Sequence, residues 1–161
     1  MLFDNAPSTH VSLRAYIDPN GFTSTSLLEF LQSFPMISHL QLSAAAYTVR
    51  PVSLDNEFMA LFGPPHNLCP MLTHITFTSL ADTSGFSDAA ALAFIKARMA
   101  MPTPLQRFEA QFSRQMEFDI MPELQSFISD GLKVVIEYAE APWKFRPQRG
   151  LKKLESFRNS I

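Results

Sequence analysis

The chain has 161 residues, of which 47% are hydrophobic and 17% charged, and its formal net charge is −2. This length suits one domain with a buried core, and phenylalanine, at 15 residues, dominates the aromatic side chains, which indicates a thick apolar layer. The single cysteine, Cys69, excludes a disulfide framework within the chain and favours a reducing compartment.

Positive charge is concentrated near the C-terminus. Residues 144–161 contain six lysines and arginines and one acid, whereas residues 1–143 contain seven bases and fourteen acids. We interpret 1–143 as the domain and 144–161 as a solvated basic tail, with contact to an acidic partner or nucleic acid as the alternative. Because the body is acidic, we do not expect a nucleic-acid partner. The first residues match no signal peptide and no run of about 18 apolar residues occurs, so we expect no membrane span and an intracellular, cytoplasmic or nuclear location.

The first half of the chain alternates predicted strands and helices. Residues 10–17 alternate apolar and polar positions, which predicts a strand. Residues 24–34 begin with serines and threonines suited to a helix N-cap and stop before Pro35, so they predict a helix. A second strand is predicted over 35–42, with the sequence PMISHLQL, and a second helix over 53–62.

The second half repeats this alternation. The strand predicted over 70–77, PMLTHITF, matches 35–42 at the Pro, Met and His positions and in its L-x-x-L-x-L apolar spacing. In the last predicted strand, Val134 and Ile136 are expected to point inward. The elements after 70–77 are predicted to be a helix, a strand, a helix and a strand, over 87–99, 105–110, 122–130 and 132–138. In the helix over 87–99, Ser87 suits the N-cap, while Asp88 in the first turn and the basic residues near the end suit the helix dipole.

The repeating unit is a strand, a loop, an amphipathic helix and a second loop, with a period of 27–35 residues. Strands joined through helices need crossover connections, so we expect a parallel sheet. One strand and one helix per unit predict an α/β fold of the leucine-rich-repeat-like type, an open solenoid of four to five units with parallel strands on one face and helices on the other. A doubly wound sheet, the alternative, would need strands that are apolar on both faces, whereas these alternate.

Six segments of the chain carry a resemblance to a known family, and they are 2–7, 69–77, 86–98, 119–124, 131–134 and 147–151. Together they resemble the C-terminal leucine-rich-repeat region of basidiomycete (mushroom-type) fungal F-box proteins. The resemblance implies a substrate-recognition subunit of a ubiquitin ligase. The F-box of that family, an N-terminal helical segment that binds the ligase adaptor, has no counterpart here, so we expect a fragment, a truncated product or a free repeat protein.

Two histidines occupy the same position of the repeat. His39 and His74 are expected on neighbouring strands, on the polar face, with their side chains about 5 Å apart. One interpretation is a metal-binding or pH-sensitive pair. The other is a pair of plain surface or binding-face histidines, because the pattern places no third ligand beside them.

The remaining candidates for chemistry have structural interpretations. Cys69 follows His66 by three residues, but a loop that enters a strand commonly holds a buried structural cysteine. Glu117, Asp119 and Glu123 precede a helix, where acids favour the dipole. The sequence contains no phosphate-binding loop, no G-x-S-x-G turn and no metalloprotease motif. We therefore predict no catalytic residue, no metal site and no cofactor.

These features predict protein recognition through the polar face of the sheet rather than catalysis. The alternatives are a small α/β enzyme with its site at the strand ends and a truncated remnant without a partner. The expected partner is a protein, such as a ubiquitination substrate, and neither a membrane nor a small molecule. The predicted partner-binding residues are Arg14, Tyr16, His39, Gln41, His74, Thr76, Arg107, Glu109, Lys133 and Glu137.

Overall fold

The structure is a computed structural model that describes residues 13–18, 21–43, 53–80 and 85–140. The first residues of the first predicted strand and the predicted basic tail lie outside the described residues. The described residues form five strands, which are Leu13–Ile17 (β1), Ile37–Ser43 (β2), His74–Leu80 (β3), Arg107–Phe112 (β4) and Lys133–Glu137 (β5). They also form four helices, which are Ser24–Ser33 (α1), Asn56–Ala60 (α2), Asp88–Met99 (α3) and Met121–Ser129 (α4).

All five strands belong to one parallel sheet. Their order in the sheet, β1-β2-β3-β4-β5, is the order of the strands along the chain. Each strand pairs in parallel with the next one, so each connection crosses over and contains one of the helices. The prediction of an α/β fold with a parallel sheet is therefore confirmed.

The apolar positions of the strands face the helices. Leu40, Leu42, Ile75 and Phe77 in the two central repeats are all buried, and they belong to one hydrophobic core with buried residues of α1, α2, α3 and α4. Val134 and Ile136 pack against this core, as predicted. The alternation along each strand therefore leaves the opposite face of the sheet to polar side chains.

Phenylalanine fills the centre of the core, as the composition predicts. Phe86, directly before α3, packs edge-on against Phe77 and Phe112, with ring centroids 4.9 and 5.1 Å apart. Phe94 of α3 contacts Phe62 and Phe108 at centroid distances of 5.6 and 5.8 Å. These rings join the helices to the sheet without needing hydrogen-bond partners.

Three helices begin and end where the sequence predicts them, within one or two residues. The predicted cap of α3 is confirmed, because the Ser87 hydroxyl accepts from the Ala90 N–H at 3.1 Å. The cap of α1 is Thr23, one residue before the predicted segment, and it forms a capping box with Ser26. Gly131 follows α4 with a φ of +108°, a conformation that favours glycine.

The second helix is shorter than predicted. It was expected over 53–62 but spans only Asn56–Ala60. The Asp55 carboxylate accepts from the Phe58 N–H at 3.0 Å and so caps the helix two residues later than Ser53 would. Leu54 forms a parallel bridge with Gly85, which keeps the chain extended before the cap. The prediction was wrong because this bridge joins residues far apart in the sequence.

Candidate functional site

Side chains in register form rows across the open face of the sheet. The first row lies near the amino ends of the strands, and we call it the basic row: Arg14, His39, His74, Arg107 and Lys133. The next row toward the carboxyl ends, which we call the central row, contains Tyr16, Gln41, Thr76, Glu109 and Val135. Glu137 is the register partner of Gln111 in the next row, two residues further along both strands. The structure thus brings all ten predicted residues to one face, where none of them is fully buried.

Val135 is the one member of the two rows that the sequence prediction omitted. The predicted set consists of polar, charged and tyrosine side chains and does not include this aliphatic one. The inward positions predicted for Val134 and Ile136 nevertheless imply that Val135 points outward. Its exposed fraction is 43%, and that of Tyr16 is 74%. The open face therefore offers a large aromatic and an aliphatic side chain as well as charges.

The two histidines of the basic row stack on each other. The ring centroids of His39 and His74 are 4.1 Å apart, and the ring planes are inclined by 15°. The predicted proximity of the pair is confirmed, because the two residues are direct partners in the β2–β3 register. Stacking of this kind requires equivalent side-chain orientations on both strands.

A hydroxyl group orients each imidazole ring. The Ser38 Oγ lies 2.8 Å from Nδ1 of His39, and the Thr73 Oγ1 lies 2.9 Å from Nδ1 of His74. Each hydroxyl also donates to a carbonyl of the preceding strand, Ser38 to Leu13 at 3.3 Å and Thr73 to Ser38 at 3.1 Å. With the proton of each hydroxyl donated to the carbonyl, the ring proton is on Nδ1 and is donated to the hydroxyl, and Nε2 of the neutral ring is an acceptor.

The environment favours the neutral form of both rings. Partial burial and the positive charge of Arg14 lower the pKa of His39. Partial burial also lowers the pKa of His74, and the charges of His39, Arg107 and Arg14 act in the same direction, against the opposing charge of Glu109. Protonation of either ring therefore adds a positive charge to a row that already holds several cations.

This arrangement is unsuited to a metal ion held by the two rings. The lone pair of an imidazole nitrogen lies in the plane of its ring. Because the two rings are stacked in the same orientation, their lone pairs point in parallel directions and do not converge on one ion. No cluster of three or more His, Cys, Asp or Glu in the described ranges could hold a metal ion. Of the interpretations given by the sequence, a pH-sensitive or plain binding-face pair fits the geometry.

The carboxylates of the open face are engaged within it. Glu109 pairs with the Arg107 guanidinium beside it and accepts from the Thr76 hydroxyl at 3.2 Å. Glu137 accepts from the Gln111 amide at 3.2 Å. Arg14 and Lys133, at the two ends of the basic row, form no ion pair with any carboxylate of the described ranges. Their charges are therefore available to a partner.

Two shallow grooves cross this face. One is lined by residues of both rows on β1 to β4, and the other by residues on β3 to β5. They are open to solvent and neither encloses a small molecule. The first groove is lined mainly by Tyr16, His39, Gln41, His74, Thr76 and Arg107. A broad ligand that lies across the strands fits this shape better than a compact one.

A buried polar cluster lies elsewhere, at the carboxyl ends of β4 and β5. The fully buried carboxylate of Asp88 accepts from Arg114 Nη2 at 2.6 Å, from the Tyr138 hydroxyl at 2.9 Å, and from the N–H groups of Glu117 and Phe118 at 2.7 and 3.2 Å. Burial raises the pKa of Asp88, but these four hydrogen bonds outweigh it and hold the pKa below its ordinary value. The carboxylate is thus ionised and fully hydrogen-bonded.

This cluster ties the β4–α4 connection to the start of α3. The Arg114 guanidinium lies 4.2 Å from the ring centroid of Phe112 and donates to the Phe86 carbonyl at 3.1 Å. Glu117 in turn accepts from the Asp88 N–H at 3.1 Å. The sequence indicates for Asp88 only a favourable place at the start of its helix, because its partners are 26 to 50 residues away and no local pattern indicates them.

A third polar feature is the buried guanidinium of Arg98. It donates to the Pro70 and Leu72 carbonyls at 3.2 and 2.8 Å and so holds the turn that enters β3. Cys69 in the same turn is buried, and this burial raises the pKa of its thiol to about 12 although the Arg98 charge opposes it. His66 is exposed. The geometry therefore favours the structural interpretation of Cys69.

Comparison of the chain with protein-family models, with curated proteins and with solved structures found no match in any of the three sets. The resemblance to fungal F-box repeats therefore stays a prediction from the sequence. Within the part of the chain that the structure describes, no helix is both long and apolar enough to cross a lipid bilayer.

Proposed function

We propose that this chain is a protein-recognition domain that binds its partner through the open face of the sheet. The observation that carries the proposal is the asymmetry of the sheet. One face is built into the core, whereas the other presents two rows of in-register side chains, none of which the described residues bury fully. Tyrosine and arginine, both present on that face, are the residue types that contribute most at protein interfaces.

The repeat architecture supports this proposal. We infer an open solenoid of the leucine-rich-repeat kind, in which each unit adds one strand and one helix to the stack. An apolar residue at the start of the strand, or one or two residues before it, is buried in four successive units, as Ile37, Leu72, Leu105 and Leu132. The backbone N–H groups of Thr73 and Gln106 each donate to the carbonyl of the equivalent residue one unit earlier, which is Ser38 for Thr73 and Thr73 for Gln106. The Lys133 N–H likewise donates to a carbonyl of the preceding unit, that of Gln106.

Binding is favoured over catalysis because of how the ionisable groups are used. The buried cluster around Asp88 lies at the strand ends, where α/β enzymes place their sites. The Asp88 carboxylate accepts four hydrogen bonds, and all four donors are groups of the protein itself. A carboxylate that is saturated in this way supports the fold and has no lone pair left for a substrate proton.

The resemblance to fungal F-box repeats suggests the class of partner. In that family the repeats recognise a protein that is to be ubiquitinated, so we propose a ubiquitination substrate as the partner. Affinity purification of the protein from its source organism tests this link. Recovery of a cullin adaptor together with the partner is the expected result, which requires an F-box encoded elsewhere, and repeated recovery of the partner without any ligase subunit would refute the link.

The open-face proposal is tested by the combined variant His39→Ala, His74→Ala and Arg107→Ala. We expect unchanged circular dichroism and a weakened capture of the protein partner in a pull-down, since these three residues lie at the centre of the basic row. The matched control replaces three exposed helix residues, Glu29→Ala, Gln32→Ala and Lys96→Ala, which lie on α1 and α3. Equal capture by the open-face variant, the helix variant and the wild type would refute the assignment.

A further inference from the structure

The basic row is a line of five side chains, of which three carry a positive charge and two are histidines that can gain one. Register pairs Arg14 with His39, His39 with His74, His74 with Arg107, and Arg107 with Lys133. Neighbouring strands are about 4.8 Å apart, so the row extends about 19 Å across the sheet. An extended peptide of about six residues has the same length.

We propose that the basic row binds an acidic peptide segment of the protein partner, which lies across the strands in extended form. This inference rests on the proposed function and names the chemistry of the partner. Charge complementarity carries it. The cations at both ends of the row, Arg14 and Lys133, have no described carboxylate partner, whereas Glu109 and Glu137 are engaged by Arg107 and Gln111.

The open face is also polarised along the strands. The basic row lies at the amino ends, and Glu109 and Glu137 lie closer to the carboxyl ends. This fixes where an acidic segment can lie, because a displacement along the strands by two residues brings it next to Glu109. Tyr16, exposed beside Arg14 in the first groove, offers the segment an apolar contact.

A peptide is favoured over a nucleic acid by the same charges. Residues 1–143 hold twice as many acids as bases, so the field around the domain repels a long polyanion. The basic row is about 19 Å long, which is too short for the repeated phosphate contacts on which nucleic-acid binding depends. A short acidic segment needs only the local positive charge.

The histidines couple this binding to protons. The groups that face the pair are the cations Arg14 and Arg107, which oppose protonation, the carboxylate of Glu109, which favours it, and the neutral hydroxyls that orient the rings. An acidic segment adds further carboxylates beside His39 and His74. It therefore favours their protonated forms, and by linkage a lower pH strengthens binding as long as the carboxylates of the peptide stay ionised.

The test uses the full 161-residue chain and a fluorescein-labelled acidic peptide in an anisotropy titration, with the corresponding Asn and Gln peptide as the neutral probe. We expect binding of the acidic peptide only, weakened by added salt. The double variant Arg14→Gln and Lys133→Gln should weaken it about tenfold, since each exposed ion pair contributes modestly. These two side chains form no described ion pair, so the variant leaves the fold unchanged.

The matched control is Lys96→Gln, which removes an exposed cation from α3, and it should bind the acidic peptide as the wild type does. Equal binding of the neutral peptide, or an Arg14→Gln and Lys133→Gln variant that binds as tightly as the wild type, would overturn the proposal. Tighter binding of a single-stranded oligonucleotide than of the acidic peptide would overturn it in favour of a nucleic acid.

The pH dependence provides a separate measurement. Between pH 7.5 and 5.5 the affinity of the wild type for the acidic peptide should rise several-fold, and the variant His39→Gln with His74→Gln should lose this rise. A wild-type affinity that does not change with pH would overturn the proposed role of the histidines. If the acidic peptide fails to bind while the open-face variant still loses its protein partner, the proposed function stands and the acidic partner is refuted.

Discussion

Replacing Asp88 by Asn tests whether the buried cluster holds the start of α3 to the carboxyl ends of β4 and β5. The Asp88 carboxylate accepts from Arg114 and Tyr138 through Oδ1, and from the N–H groups of Glu117 and Phe118 through Oδ2. An amide has a single acceptor oxygen, so in either orientation its NH₂ group faces two donors. The change also removes the closer charge partner of the Arg114 guanidinium, which keeps only the Glu117 carboxylate, 3.9 Å away.

The expected cost follows from these losses. Two hydrogen bonds to a charged acceptor contribute about 1.5 kcal/mol each, so about 3 kcal/mol is lost. This agrees with the range of about 3–5 kcal/mol for breaking a buried ion pair, and the side chains of this pair are only 15% and 1% exposed. For a domain of this size, a loss of about 3 kcal/mol lowers Tm by about 6–12 °C.

The assay is thermal unfolding followed by circular dichroism, with Glu123→Gln as the matched control. Glu123 pairs with Lys96 at 2.8 Å, but both side chains are exposed, so this substitution should leave Tm close to that of the wild type. Equal Tm values for Asp88→Asn and Glu123→Gln would refute the reasoning, because burial is the main difference between the two ion pairs.

The same substitution has a defined pH dependence. The folded state holds the pKa of Asp88 below its ordinary value, so the carboxylate contributes stability above the pKa of the unfolded chain, about 4. That contribution is lost as the pH falls through the lower pKa of the folded state. The difference in unfolding free energy between wild type and Asp88→Asn should therefore stay constant from about pH 5 to 8 and shrink below about pH 4. A difference that does not shrink in acid would contradict the role of the charge.

Three further predictions concern the core, the buried thiol and the histidine pair. Phe86→Ala should cost about 3–5 kcal/mol in urea unfolding, because the ring is fully buried among other rings, whereas Phe34→Ala, at a 41% exposed position, should cost much less. Cys69 should react with a thiol reagent at neutral pH only after unfolding, since burial raises its pKa to about 12. The folded state lowers the pKa of His39 and His74, so it loses stability as the pH falls from about 6.5, and the variant with glutamine at both positions should lose less.

Each of these three has a result that would contradict it. Equal urea midpoints for the two phenylalanine variants would show that Phe86 is not central to the core. Rapid modification of Cys69 in the native protein would mean that the thiol is accessible and its pKa ordinary. Parallel stability curves between pH 7 and 5 for the wild type and the double glutamine variant would show that the histidine environment does not favour the neutral rings.

The sequence by itself determined the strands, their parallel arrangement and the composition of the two faces of the sheet. Side chains alternate between the two faces of a strand, so Leu40 and Leu42 point inward and His39 and Gln41 point outward. This alternation follows from the local strand geometry and does not depend on contacts with other parts of the chain. The repeat then places equivalent residues side by side, which is why the proximity of His39 and His74 is predictable. These properties depend on local geometry and on the period of the repeat.

The tertiary structure alone decided the contacts between residues of different repeats. The stacking of the histidine rings depends on the hydroxyls of Ser38 and Thr73, which themselves bind carbonyls of the preceding strand. Arg98 is one of the basic residues that suit the end of a helix, and the sequence indicates no more than that. Its burial depends on the carbonyls of a turn 26 to 28 residues earlier. The saturation of Asp88 depends on β4, β5 and the connection between them. No local pattern indicates such partners, because each is chosen by distance in the folded chain and not by distance along the sequence.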